Sequence, residues 1–310
     1  MSSLGKNNIF SNLKYDFPAG LVVYLVALPL CLGVALASTG SSDLLFSGII
    51  AGVVGGIVVG FLSGSALGVS GPAAGLVVIV LSALEVLGSF EAFLLAVVLA
   101  GALQVVAGLL KAGIIGYYFP SSVIKGMLAA IGITLILKEI PHALGYDHDY
   151  MGNETLVATG GDNTFADLFN AVNALSLGAI VITAISLGLL ILFDKPFMKK
   201  IQLFKFLPGA LFVVLFGIIL NALFIQFMPE WALHGEHLVQ LPVASSASEF
   251  FSFFKTPDFS AFARVEVYTV AVTIAIVASL ETLLSVEATD KLDPYKRNTP
   301  TNRELIAQGI

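Results

Sequence analysis

Gly68-Val69-Ser70-Gly71-Pro72-Ala73-Ala74-Gly75 lies between long apolar runs, and four of these eight residues are Gly or Pro. Glycine allows the backbone to turn and to approach other groups closely. Pro72 suits the first position of a helix, because its φ is already near the helical value and it has no N–H to satisfy. We therefore predict a helix start inside a membrane, whose free N–H groups would attract an anion. A tight surface turn between two membrane helices is the competing interpretation.

The composition of the chain predicts an all-α polytopic membrane protein. Its 310 residues are 57% hydrophobic and 12% charged, whereas soluble domains carry about 25% charged residues. A membrane span needs about 20 mostly apolar residues. Eight such runs lie near residues 17–38, 44–63, 70–90, 92–110, 120–139, 174–193, 207–228 and 267–288. The small residues Gly52, Gly56 and Gly60 suit close packing of helices in lipid.

The basic residues divide unequally between the two sides of these spans. If residues 1–16 form a cytoplasmic N-terminal segment, only three of the 15 Lys and Arg residues fall on the outer side: Lys138, Lys255 and Arg264. This bias follows the positive-inside rule. We therefore expect a multi-pass protein of the inner or plasma membrane with its N-terminus in the cytoplasm.

The carboxylate of Glu281 lies within the eighth apolar run, six residues before the next charged residue, Glu287. A carboxylate at this depth is costly unless it is paired, so it is a functional candidate. Ser285 and Thr289 follow four and eight residues later, on the same helix face. Glu281 is therefore predicted to carry a proton or to help bind Na⁺; a hydrogen bond to a neighbouring helix is the structural alternative. Gln104, in the fourth run, is explained by such a helix–helix hydrogen bond.

Metal and enzyme chemistry find little support in the sequence. His142 and His148 lie near Asp147 in the loop of residues 141–173, but without further spaced ligands a solvated loop is favoured over a metal site. The chain has no H-E-x-x-H, G-x-S-x-G or P-loop motif, and its single cysteine, Cys31, has no histidine within an apolar run to activate it. We expect no enzyme activity, no cofactor and no nucleic-acid partner.

Several stretches together resemble the sulfate permease (SulP) family of anion transporters, over essentially the whole chain. The more specific ones are Ser279-Leu280-Glu281-Thr282-Leu283-Leu284-Ser285 and Asn302-Arg303-Glu304-Leu305-Ile306-Ala307-Gln308-Gly309. The others are Asp16-Phe17-Pro18-Ala19-Gly20, Ala27-Leu28-Pro29, Ser70-Gly71-Pro72 and residues 120–126.

The resemblance implies an inverted-repeat transporter fold of 14 membrane segments, seven in each repeat, divided into core and gate domains. The third and tenth segments would be short helices whose N-termini meet at the substrate site. On this basis residues 17–310 are part of a sulfate-transporter membrane domain, truncated after about eight spans. The tenth segment and any cytoplasmic STAS domain would lie beyond residue 310, so the chain would hold half of the site. The resemblance also implies a homodimer.

The same resemblance assigns roles to individual residues. The substrate positions that it implies are Leu30, Val34, Ser70, Gly71, Ala73 and Ala74. The coupling-cation positions that it implies are Ser70, Glu281 and Ser285, with Na⁺ as the candidate ion at Glu281 and Ser285. Bicarbonate-transporting members carry Asp where Glu281 stands, which leaves the choice between Na⁺ and H⁺ open.

The predicted function is secondary active transport of a small inorganic anion, sulfate or bicarbonate, coupled to Na⁺ or H⁺ and working by alternating access. A nucleobase–cation symporter of the same fold is one alternative, although the apolar pocket positions offer few partners for a base edge. A passive anion channel or motor-like membrane protein is a second alternative, and a fragment that serves only packing is a third.

Overall fold

The computed structural model describes residues 13–71, 73–148, 163–195, 209–238 and 242–310. The regular elements within these ranges are helical, which confirms the all-α prediction. The α-helices are α1 Leu13–Thr39, α2 Leu45–Val54, α3 Gly60–Leu62, α4 Val77–Leu87, α5 Phe90–Leu109, α6 Ser121–Leu144, α7 Thr164–Asn173, α8 Leu177–Phe193, α9 Gly209–Phe227, α10 Ala247–Ser252, α11 Val265–Leu292 and α12 Thr301–Gly309. A π-helical turn, Gly55–Val59, joins α2 to α3.

Among the described residues, five helical stretches are long and apolar enough to cross a membrane. They are α1, the stretch Ser42–Leu62 that contains α2 and α3, α5, α9 and α11. The pair α7 and α8 would add a sixth if the two helices form one span, although they are bent by 111°. The limits of these five stretches lie within four residues of predicted runs, and α1 begins at Leu13, four residues before the expected span. Of the eight predicted spans, residues 70–90 and 120–139 correspond to α4 and α6, which are not among the candidate spans of the described residues. The part of the predicted segment before Leu13 lies outside the described residues.

Two predictions about helix limits are wrong. The third run, residues 70–90, was expected to be helical from its start, but α4 has only 11 residues and ends at Gly88, whose φ of +69° suits glycine. The loop of residues 141–173 was expected to lack regular structure, yet it includes α7. The Asn163 side chain caps α7 by accepting a hydrogen bond from the N–H of Ala166 at 2.9 Å.

The chain folds into two compact units. The first draws, among the described residues, on 13–29, 139–148, 163–195 and 209–238. In it, α8 packs on α9, and Gly178 leaves no room for a side chain because a Cβ there would overlap the carbonyl oxygen of Trp231. Asn221 of α9 holds the same turn region through two hydrogen bonds to the backbone of Leu233, at 2.8 and 3.1 Å.

The loop after α6 is tied to this first unit by a carboxylate between two histidines. Asp147 contacts Nδ1 of His142 at 2.5 Å and also contacts Nδ1 of His237. These hydrogen bonds hold the pKa of Asp147 below its ordinary value, although burial alone would raise it. His148 instead stacks on Tyr146, with ring centroids 5.8 Å apart. The carboxylate is therefore a structural tie between two loops.

The second unit draws, among the described residues, on 30–71, 73–138 and 242–310, and α5 has the most extensive helix contacts in it. Its core includes Leu95, Ala96 and Val267, which are fully buried between α5 and α11. Close approach of α12 to α5 depends on glycine, since a Cβ at Gly101 would overlap the carbonyl oxygen of Gly309. The α12 helix is thus held rigidly against the core.

The glycines of α2 and α3 are used differently from the predicted pattern. Gly52 faces the Sγ atom of Cys31, where a Cβ would lie at 2.6 Å, so it packs against α1. Gly56 and Gly60 have open space beside them. Gly55, in the π-helical turn, instead contacts the segment before α4, since a Cβ there would lie 2.5 Å from the carbonyl oxygen of Ser70.

Candidate functional site

The start of α4 is the centre of the candidate site. Ser70 and Gly71 are not helical, a single 3₁₀ turn covers Ala74–Leu76, and α4 follows from Val77. The prediction that the helix begins at Ser70-Gly71-Pro72 is therefore wrong by several residues, and Pro72 itself lies outside the described residues. One physical reason is that a residue before proline disfavours the helical conformation. A second is that the backbone of Ser70 is wedged against Gly55.

The N-cap residue of α4 supplies no side-chain hydrogen bond to the first turn. Leu76 occupies the N-cap position and has no oxygen to offer, although its own N–H donates to the carbonyl of Ala73 at 3.1 Å. The helices α5 and α8 differ, because Ser89 and Ser176 cap them by accepting hydrogen bonds from backbone N–H groups. A helix N-terminus without such a cap presents donors and a positive dipole end to any neighbouring anion.

Glu281 of α11 contacts this helix start. A Cβ atom at Gly75 would lie 2.8 Å from Oε1 of Glu281 and 3.2 Å from its Oε2, so the carboxylate rests directly against the glycine backbone. The side chain of Glu281 is half-buried. Two features that the sequence singled out separately, the glycine-rich start and the intramembrane carboxylate, are therefore neighbours in the folded chain.

The other predicted positions have different surroundings. Val34 is buried in α1 and Leu30 is half-buried. Leu30 directly precedes Cys31, which packs on α2, and Val34 follows it by three residues. The side chain of Ser285 is exposed, and its backbone carbonyl accepts a hydrogen bond from the Thr289 hydroxyl at 2.8 Å. Ala74 lies in the 3₁₀ turn beside half-buried Ala73. The place of these side chains in a pocket stays a prediction.

Sequence reasoning missed a set of hydrogen bonds that reaches Ser70 from α12. The Ser70 hydroxyl donates to Oε1 of Gln308 at 2.9 Å, and Nε2 of Gln308 donates to Oε1 of Glu304 at 3.1 Å. The Ser63 hydroxyl donates to the other oxygen of Glu304. The spacing of four between Glu304 and Gln308 could have indicated a shared helix face, but the link to Ser70 depends on the tertiary fold.

Gln104 does not behave as predicted. Its side chain is buried on α5, and the Nε2 atom has no hydrogen-bond partner among the described residues. The expected helix–helix hydrogen bond from this amide group is therefore absent from that part of the chain. An unsatisfied buried amide costs stability.

These features define a class of protein: a polytopic, all-helical membrane protein. One solved structure with a similar fold is the transmembrane domain of the cyanobacterial bicarbonate transporter BicA, with a TM-score of 0.58 and 23% identity, covering 97% of this chain and 70% of the other. The sequence model described as the sulfate permease family matches residues 13–310. The chain belongs to the sulfate permease family.

Two curated relatives are similar along nearly the whole chain. The putative sulfate transporter YvdB of Bacillus subtilis is 28% identical over 298 residues, which are 95% of this chain and 51% of that protein. The bicarbonate transporter BicA of Picosynechococcus sp. is 25% identical over 312 residues, with 97% and 50% covered. The chain thus spans about half the length of the curated relatives it matches. Family and relatives carry the names of transporters and not of enzymes, as the motif inventory predicts.

Proposed function

We propose that the protein is a secondary active transporter of a small inorganic anion, sulfate or bicarbonate, coupled to Na⁺ or H⁺ through Glu281. Membership of the sulfate permease family and the names of the two relatives support the substrate class. The observation that carries the proposal is the contact of the Glu281 carboxylate with the start of α4. In this proposal the charge of Glu281 decides whether an anion can bind at the start of α4.

The start of α4, whose N-cap residue Leu76 has no side-chain acceptor, supplies the anion side of the site. Its N–H groups and dipole favour a negative ligand, and Ser70, Gly71, Ala73 and Ala74 lie in the segment that precedes it. Leu30 and Val34 would supply an apolar wall from α1. Such a wall has few groups to pair with a nucleobase edge, which favours an inorganic anion over a base.

Glu281 supplies the coupling. An anion about 5 Å from a charged carboxylate is repelled by about 3 kcal/mol at an effective dielectric constant near 20, or roughly a hundredfold in affinity. Binding of Na⁺ beside Glu281, with Ser70 and Ser285 as further oxygen ligands, or protonation of Glu281 removes this repulsion. The anion therefore binds well only with its cation, which is the condition for symport.

The remaining architecture of the proposal follows the family resemblance. The protein would have inverted repeats with core and gate domains, move by alternating access, and work as a homodimer in the inner or plasma membrane with its N-terminus in the cytoplasm. The opposing short helix would complete the anion site from the second repeat. Coupling can be tested without knowledge of these features.

The test is uptake of radiolabelled sulfate and bicarbonate by the complete protein in proteoliposomes, with an imposed Na⁺ or proton gradient. We expect the wild type to accumulate the anion against its own gradient, and Glu281→Gln to lose the dependence on the cation gradient. Glu85→Gln, the same change at an exposed position of α4, is the matched control and should behave as the wild type.

Three outcomes would contradict the proposal. Unchanged cation dependence in Glu281→Gln would remove Glu281 from coupling. Flux only down the anion gradient would identify a passive channel. Competition by nucleobases, with no uptake of inorganic anions, would identify a nucleobase symporter.

A further inference from the structure

The hydrogen bonds that link Ser70 to α12 have a defined direction. Gln308 can accept from Ser70 only with its amide oxygen, and this orientation places its Nε2 towards Glu304, where it donates at 3.1 Å. The buried Glu304 side chain accepts at both of its oxygens, from Gln308 and from Ser63. The Ser63 hydroxyl in turn accepts the N–H of Ser65 at 2.9 Å. Each donor and acceptor in the set is therefore assigned by its neighbour.

This direction fixes what Ser70 can offer to a ligand. A serine hydroxyl has one hydrogen and two lone pairs. The hydroxyl hydrogen of Ser70 is donated to Gln308, so only the lone pairs of the oxygen remain for a ligand. A group with only lone pairs is a ligand for a cation and cannot donate a hydrogen bond to an anion. If the Gln308 amide were reversed, its Nε2 would donate to Ser70, and the freed hydroxyl hydrogen could point at an anion instead.

We propose that Glu304 and Gln308 are positioning residues that hold the Ser70 hydroxyl as a lone-pair ligand and so direct it to Na⁺ and away from the anion. The proposal rests on the placement of Ser70 at the transport site under the proposed function. It assigns opposite roles to two parts of one short segment: the Ser70 side chain serves the cation, and the N–H groups at the start of α4 serve the anion.

The frame around these residues is rigid enough for positioning. The α12 helix is packed on α5 at Gly101 and Gly108, and the Oδ1 atom of Asn302 accepts the N–H of Gly113 at 2.9 Å. Nε of Arg303 donates to the carbonyl of Leu62 at 2.7 Å, next to Ser63. Both ends of the set are thus anchored to neighbouring helices, so the amide of Gln308 is not free to reorient without loss of hydrogen bonds.

The experiment measures Na⁺ binding and transport separately, with Gln308→Leu as the main variant. The first readout is the Na⁺ concentration that gives half-maximal thermal stabilisation of the purified complete protein. The second is anion uptake in proteoliposomes, resolved into the KM for Na⁺ and the KM for the anion. Gln104→Leu is the matched control, because it makes the same chemical change in a buried glutamine whose Nε2 atom has no described partner.

We expect Gln308→Leu to raise the half-maximal Na⁺ concentration and the KM for Na⁺ about fivefold, the typical value of one hydrogen bond. The KM for the anion at saturating Na⁺ should change less than about twofold by the same scale. Ser70→Ala should weaken Na⁺ binding at least as much as Gln308→Leu does. The double variant Ser70→Ala with Gln308→Leu should bind Na⁺ no more weakly than Ser70→Ala alone, because Gln308 acts only through Ser70.

The outcomes separate this proposal from the proposed function. Equal Na⁺ affinity in Gln308→Leu and the Gln104→Leu control, or additive losses in the double variant, would overturn the positioning role even if transport is intact. A selective rise of the KM for the anion would also overturn it, since Ser70 would then serve the anion. Na⁺ binding that weakens as expected, in a protein that transports no anion, would support the positioning role and overturn the proposed function.

Discussion

Gly75→Ala should disturb coupling without unfolding the protein. The added Cβ would lie 2.8 Å from Oε1 of Glu281, 3.1 Å from its Cδ and 3.2 Å from its Oε2. Ordinary contact begins at 3.4 Å, so the carboxylate must retreat by about 0.6 Å. The fold can tolerate this movement, because the displaced atoms are the far end of a flexible side chain and Gly75 does not require a positive φ.

The magnitude of the effect follows from that displacement. Binding sites work within about 0.5 Å of their productive geometry, so we expect the KM for the coupling cation to rise about tenfold, which corresponds to about 1.4 kcal/mol. The melting temperature should stay within a few degrees, since alanine also removes the entropic cost of glycine in a helical turn. The assay is gradient-driven anion uptake at a series of Na⁺ concentrations and pH values, with thermal unfolding measured on the same preparations.

Gly56→Ala is the control for Gly75→Ala, because a Cβ at Gly56 would meet no atom within 4 Å. It should match the wild type in both assays. Cation dependence in Gly75→Ala equal to that of the control would refute the reasoning, because Glu281 would then not lie against the start of α4 in the working protein. A large loss of stability in Gly75→Ala would refute it as well, since the contact would then be rigid.

Two further predictions concern the first unit. Gly178→Ala should lower the unfolding free energy by about 1–3 kcal/mol, because the new methyl would overlap the Trp231 carbonyl oxygen; thermal unfolding should show no such loss for Gly188→Ala on the same helix, where space is open. Asp147→Asn should lower the unfolding free energy by about 2 kcal/mol at neutral pH, since hydrogen bonds to a charged carboxylate are lost. The folded-state pKa of Asp147 is lowered, so the wild-type advantage should fade as the pH falls through that value; a difference independent of pH would contradict the role of the charged carboxylate.

Much of the fold could be predicted because each membrane helix consists of a long run of apolar residues. The limits of α5 and α11 lie within a few residues of the predicted spans. The two wrong helix limits have different causes. The start of α4 is delayed because Ser70 is engaged by other helices, which no local pattern reveals. Helix α7 was missed because its cap, Asn163, lies in a stretch with the composition of a loop.

Single residues of the candidate site are conspicuous in the sequence, but their arrangement is not. Glu281 stood out because a carboxylate in an apolar run is costly, and Gly75 because glycine permits close approach. Their contact joins distant parts of the chain and becomes visible only in the fold. The roles of Gln308 and Glu304 were hidden for the same reason, since a polar face on a short helix has several explanations until its partners are known.

The most direct test of the central claim asks whether the anion binds at the start of α4. Residues 1–310 contain one cysteine, Cys31, so Cys31→Ala, together with replacement of any cysteine elsewhere in the complete protein, gives a background without thiols. In it, the thiol introduced by Ala73→Cys is modified by a maleimide with and without sulfate or bicarbonate, in the presence of Na⁺. Val86→Cys, near the far end of α4 and exposed, is the control. We predict that the anion slows modification at position 73 and leaves position 86 unchanged; equal rates at position 73 with and without the anion would contradict the account.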